Sequence, residues 1–192
     1  MVGGLLLIPL AMASPQVLSS GHGALHLDLT TQLPLIWIGG LLALKLLASG
    51  ISLGFGFRGG LFFASLFMGT LVGTLFAGLL ATATGVPVVD ATSAALAGMA
   101  ALAAAVVGAP MTMAMLVLEG THDFLLTSVV MSAVLVSSTL VRQWFGYSFS
   151  TWRMHLRGET IRSARDVGWI HTLNAGRMMR KGVATTPAGL DA

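Results

Sequence analysis

A chain of 192 residues that is 55% hydrophobic and 9% charged, with 24 glycines and no cysteine, is too apolar for a soluble globular domain and has no thiol for a disulfide framework or a thiolate metal site. Its mean hydropathy of +0.87 belongs to a bilayer protein, and the glycines follow no Gly-X-Y period, which excludes collagen. The net charge of +3 comes from the tail: residues 1–150 carry three Lys/Arg against four Asp/Glu, whereas residues 151–192 carry seven against three.

Residues 1–13 are apolar but short for a span, have no positive segment ahead of them that would mark a cleavable signal, and stop at Ser14-Pro15. Ser19-Ser20-Gly21-His22-Gly23 reads as a loop. His22, His26 and Asp28 have a spacing that would suit a metal on a helix, but Gly21 and Gly23 argue against a helix there, so no metal site is expected. Leu33 to Leu53 is a spanning candidate whose one charge, Lys45, has a stem long enough to reach an interface or a polar partner.

Gly54-Phe55-Gly56-Phe57-Arg58-Gly59-Gly60 follows, with four glycines in seven residues, and no helix interior would select it. Arg58 either raises the local potential or snorkels and pairs. Leu61 to Val89 is free of charge, broken near its end by Gly85-Val86-Pro87, and contains Gly69-x-x-x-Gly73, the spacing that lets helix backbones approach closely in lipid.

Ala91 to Leu118 is cut by Gly108-Ala109-Pro110 into a spanning piece and a nine-residue piece. Nine helical residues cover only ~13 Å, so the second piece is expected to end inside the protein. Glu119 and Asp123 read as a local cap or a solvent-facing pair rather than a proton-transfer dyad. Phe124 to Val141 is a further span, closed by Arg142, Trp144 and Tyr147 in an interfacial anchor pattern. Beyond Trp152 the chain is polar and basic. That basic stretch follows directly on an apolar span instead of being spread over a folded face, which argues against a nucleic-acid partner and, by the positive-inside rule, for a cytoplasmic C-terminus. The eleven methionines are scattered through packed segments and read as packing. The expected fold is an all-α, multi-pass membrane bundle with broken and re-entrant helices.

Irregular backbone at membrane depth must be buried in protein or line a wet cavity. A helix that begins there offers unpaired N–H groups and about half a positive charge, enough to attract an anion. The junction Gly59-Gly60-Leu61-Phe62 is where such an end is expected, with the amides at Gly60, Leu61 and Phe62 as donors. The same glycines would also suit a tight turn or close helix packing, and composition does not choose between these readings.

At these residues the chain resembles the CLC family of chloride channels and chloride/proton exchangers. Lys45 to Gly69 is similar to the family segment whose G-x-F-x-P signature donates backbone amides to chloride. Ala97-Gly98-Met99-Ala100, Gly108-Ala109-Pro110-Met111-Thr112 and Glu119-Gly120-Thr121 are similar to its later G-M-x-A, A-P-L-T and E-x-T stretch, and Pro15-Gln16-Val17-Leu18 with Gly21-His22-Gly23-Ala24 fits ahead of it. The resemblance covers about residues 1–158.

It implies that Gly60, Leu61 and Phe62 bind chloride through backbone amides, with Phe63 and Ala64 departing from the family's small residue and proline. It also implies a hydroxyl ligand near the last helix, at Ser150 or at Tyr147, the only tyrosine. By residue chemistry alone, Tyr147 is equally a headgroup anchor and Ser150 a helix N-cap. The gating-glutamate G-x-E-G-P and serine G-S-G-x-P motifs are missing, so the chain resembles the second half of an inverted-repeat fold, truncated at both ends. Residues 1–151 would be the membrane half, 152–175 a cytoplasmic linker, and 176–192 the opening of a CBS domain. The partners so implied are chloride, lipid, a complementary N-terminal half and a second copy in a homodimer. No cofactor and no enzymatic activity are implied. Outside the resemblance, a non-transporting helical scaffold and an intramembrane serine protease are the competing classes, the latter disfavoured because no G-x-S-G motif occurs.

Overall fold

The computed structural model describes residues 2–17, 34–57, 60–156 and 158, together with Asn174 and Met178. These residues form helices α1 (Val2–Ala13), α2 (Leu35–Gly54), α3 (Leu61–Thr84), α4 (Ala91–Val107), α5 (Pro110–Thr121), α6 (Phe124–Trp144) and α7 (Phe149–His155), with a 3-10 turn at Pro15–Val17 and no strand among the described residues. The chain is thus all-α. Among the described residues, three segments are long and apolar enough to cross a membrane: α2, α3 and the one that begins at Phe124.

Local chemistry sets the ends. Gly85 and Gly108 close α3 and α4 in the left-handed conformation, at φ 71° and 84°, where a side chain would be strained. Asp90 caps α4 by accepting the Ser93 amide at 2.9 Å, and Asp123 caps α6 by accepting Leu125 and Leu126 amides at 2.8 and 3.1 Å. Hydrogen bonds from Ser93 hold the exposed Asp90 carboxyl below its ordinary pKa. Asp123 is thereby a cap, as the sequence suggested, and Glu119 is exposed.

The segment after Gly108 is longer than the nine residues expected. Helix α5 continues through Glu119 and Gly120 to Thr121, where His122, at φ 55°, donates its amide to Leu118. The Thr121 hydroxyl bonds back to Val117 at 2.8 Å and helps the last turn persist. Its 12 residues still cover only ~18 Å. Helix α4, read as a spanning piece, has 17 residues, at the short end of the ~17–25 that cross a membrane. Its small side chains, Ala94, Ala95, Ala100, Ala103 and Ala104, are buried against neighbouring helices, so its apolar character serves protein contact.

Helices α3 and α4 make the most extensive pairing, and α4 also packs on α5, α6 and α7. The spacing of Gly69 and Gly73 works as expected: a Cβ at Gly69 would meet the Gly98 carbonyl at 2.5 Å and the Met99 Cα at 2.7 Å, and one at Gly73 would meet the Ala94 carbonyl. Leu66, Met99, Ala103, Met113, Val117, Val130 and Val134 form the core around α4. Large apolar side chains such as Trp37, Phe76, Phe124 and Leu125 point outward, as lipid-facing residues do.

Lys45 is 4% exposed, and its Nζ donates to the Val17 carbonyl at 2.8 Å while lying 5.6 Å from the centre of the Phe67 ring. It fastens the turn after α1 to α2 and α3, which settles the choice between interface and polar partner for the partner. Lys45→Met, similar in volume but without the donor, strands that buried carbonyl and is expected to cost about 1–3 kcal/mol of stability in detergent unfolding. Unchanged unfolding would show the contact to be incidental.

Candidate functional site

Helix α3 begins at Leu61 behind Gly60, which is extended at φ −73°, ψ 120° and gives no side-chain cap. A Cβ built on Gly60 meets nothing within 4 Å, and φ is in the range open to any residue. Glycine therefore contributes open space ahead of the helix, not a special backbone angle. The first turn of any α-helix has N–H groups without intrahelical acceptors. Among the described residues, no backbone carbonyl accepts the amide of Leu61 or Phe62. Arg58 and Gly59 lie outside the described residues.

The remaining groups of this turn are tied down. Phe62 is half-buried, packs against the core around α4 and meets the Phe63 ring edge-on at 5.2 Å. The Ser65 hydroxyl donates backward to the Phe62 carbonyl at 2.7 Å, so it does not occupy the space ahead of the helix. What is left is a helix start whose amides carry partial positive charge.

The close contacts of Gly69 with Gly98 and Met99, and of Gly73 with Ala94 and Ala95, make α3 and α4 antiparallel neighbours. Two further turns of that register bring Phe62 level with the end of α4, around Val106. Ser150 donates its hydroxyl proton to the Val106 carbonyl at 3.0 Å. The start of α3 and the start of α7 thus share one end of α4.

Ser150 is not the N-cap of α7. That position is Ser148, whose Oγ accepts the Thr151 amide at 3.4 Å and lies 3.0 Å from the Thr151 Oγ1. The helix starts two residues earlier than a cap at Ser150 would require, because Ser148-x-x-Thr151 places the Ser148 hydroxyl against the Thr151 amide and hydroxyl. The cap could have been found from that spacing. The Ser150 bond to a carbonyl 44 residues away could not. Tyr147 is half-buried, stacked on His155 at 4.6 Å and tilted towards Trp152 at 6.1 Å.

Among the described residues, no group of three or more His, Asp or Glu is arranged to hold a metal ion. His22, His26 and Asp28 lie outside the described residues, as does most of the stretch beyond His155.

A search of the curated proteins finds no match to this chain. A scan against family models gives a match to the voltage gated chloride channel family over residues 1–142, about three quarters of the chain. The matched region contains α1 to α5 and nearly all of α6, including the α3 start and both close-packed glycines. Proteins of this family carry chloride across membranes, and the lengths and composition of α2, α3 and α6 make the chain an integral membrane protein. A bundle of apolar helices matched over that length makes this chain a member of the CLC family of voltage gated chloride channels.

Proposed function

We propose that this chain contributes to chloride transport by holding the anion on the backbone amides of Leu61 and Phe62, with Gly60 leaving room for its approach. The observation that carries this reading is the start of α3: an extended Gly60, no side-chain cap, and, among the described residues, nothing beyond its chain neighbours within 4 Å of where its Cβ would be. Partial charges of this kind attract a monovalent anion strongly enough for entry and weakly enough for release. The hydroxyl ligand would be Tyr147 or Ser150. Ser150 would serve by giving up its bond to Val106.

In this reading the chain works with a complementary half of the same fold that supplies opposing helix ends, and the complete unit pairs as a homodimer. Residues 1–151 are the membrane half, 152–175 a linker on the cytoplasmic side, and 176–192 the start of a CBS domain. The basic residues beyond Trp152 support a cytoplasmic C-terminus. The protein is a transporter component, not an enzyme.

The test is calorimetric chloride titration of the purified chain assembled with a complementary CLC half. A saturable heat is expected. Its absence would favour the competing view of a helical scaffold, which predicts neither anion binding nor flux.

A further inference from the structure

A cavity of about 640 Å³ opens where α4 ends, α6 ends and α7 begins, lined among others by Arg142, Ser138, Ser148, Ser150, Thr151 and Gly108. No residue of α3 lines it, and among the described residues its lining carries one charged side chain, Arg142, and no carboxylate. We propose that this cavity is a second anion site, separate from the start of α3, that binds a phosphate group through the Arg142 guanidinium with the Ser138 hydroxyl.

Size and donor chemistry select the ligand class. The volume lies within the ~300–1,000 Å³ of small-molecule pockets. A halide, comparable with the ~30 Å³ share of one water, would leave most of it empty. A planar guanidinium matches two oxygens of a phosphate at once, and hydroxyl donors complete such a shell. Ser137, one residue before Ser138, has its hydroxyl committed to the Ala101 carbonyl at 2.8 Å, whereas Ser138 faces the cavity. Ser150 is committed to Val106, and the Ser148 and Thr151 hydroxyls are engaged with each other at 3.0 Å, which leaves Ser138 as the hydroxyl donor.

The wall is firmly built. A Cβ at Gly108, where φ is +84°, would meet the Ser148 Oγ at 2.7 Å, so the turn between α4 and α5 sits directly on the cap of α7. The surroundings suggest where the phosphate resides. Trp144 and Phe145 are 77% and 71% exposed just beyond Arg142, and Tyr147 and Trp152 lie close by, an aromatic set typical of headgroup depth. A phospholipid headgroup and free phosphate present the same chemistry to such a site.

The full chain in a maltoside detergent, which carries no phosphate, is titrated calorimetrically with inorganic phosphate in one arm and with water-soluble dihexanoyl phosphatidylglycerol in the other. A saturable isotherm is expected in at least one arm. Heat with phosphate alone assigns the free ion, heat with the lipid alone assigns the headgroup, and either supports the site. Arg142→Gln is expected to weaken binding at least ~10-fold, the loss of a charge-assisted pair of bonds. Ser138→Ala should weaken it severalfold, and Arg153→Gln, on α7 outside the lining, should leave it unchanged. No saturable heat in either arm overturns the proposal. So does an isotherm unaltered by Arg142→Gln, or, should that variant fail to fold, one unaltered by Ser138→Ala. Failure here is distinguishable from failure at α3: the Leu61 and Phe62 amides do not line the cavity, and Ser150, the one lining residue also offered to chloride, is left intact by all three variants.

Discussion

Gly73→Val is expected to force α3 and α4 apart and to destabilise the bundle by about 3 kcal/mol, the upper end of what overpacking costs. The atoms that a side chain at this position would strike belong to backbone: the Ala94 carbonyl, and the Ala95 Cα at 2.9 Å. Backbone inside a helix cannot swing away as a side-chain tip can, so the whole helix must move. Leu66, Ala103 and Val130 then lose contacts together, since all belong to the core around α4. Two other glycines provide the contrast. Gly78→Ala meets only the flexible side chain of Leu35 and should be mild, and Gly40→Ala enters open space in a helix interior, where alanine is favoured over glycine by about 1 kcal/mol. Loss of helicity during denaturant titration in micelles ranks the three. A Gly73→Val protein as resistant as the parent would show that the close approach of α3 and α4 has no energetic role.

Leu61→Pro should weaken chloride binding by roughly 10- to 100-fold while α3 stays intact. Proline has no N–H, so the change deletes one proposed donor, and a hydrogen bond to a charged group contributes about 1.5–3 kcal/mol. The first helical position is where proline is best tolerated. The residue before it must be extended, and Gly60 at ψ 120° already is. Circular dichroism should therefore match the parent while chloride calorimetry, with the complementary half present, does not. Leu61→Ala retains the amide and should bind as the parent does. Equal affinity in the proline and alanine variants would remove the Leu61 amide from the site.

Much of this architecture can be read from local chemistry. The breaks after Gly54, at Gly85 and at Gly108-Ala109-Pro110 follow from residues whose own backbone preferences end helices, and all three appear where the sequence puts them. The glycine pair on α3 was recognisable for a similar reason: a four-residue spacing of the smallest residue has few other uses within lipid. Hydropathy served less well for α4, because alanines facing other helices score as apolar just as alanines facing lipid do. The end of α5 was misjudged by three residues, since a threonine bonding back to its own helix and a histidine in the left-handed conformation close it without any glycine at the cap.

The candidate site divides along the same line. An open helix start at Leu61 follows from the Gly-rich segment before it. The destination of the Ser150 hydroxyl depends on which distant carbonyl the fold brings within reach, and Val106 is specified by the packing of α7 on α4. The cavity beside Arg142 is likewise made by three chain segments that meet only after folding.

The Lys45 contact also has a bearing on how the chain is made. Its acceptor, the Val17 carbonyl, is 28 residues nearer the N-terminus. Polypeptides leave the ribosome N-terminus first, so the oxygen is synthesised before the cation that needs it. When the second helix enters the bilayer, its ammonium meets an acceptor already delivered there. Insertion in the reverse order would send a bare cation into hydrocarbon, at a cost of about 2.5–3.5 kcal/mol on insertion scales.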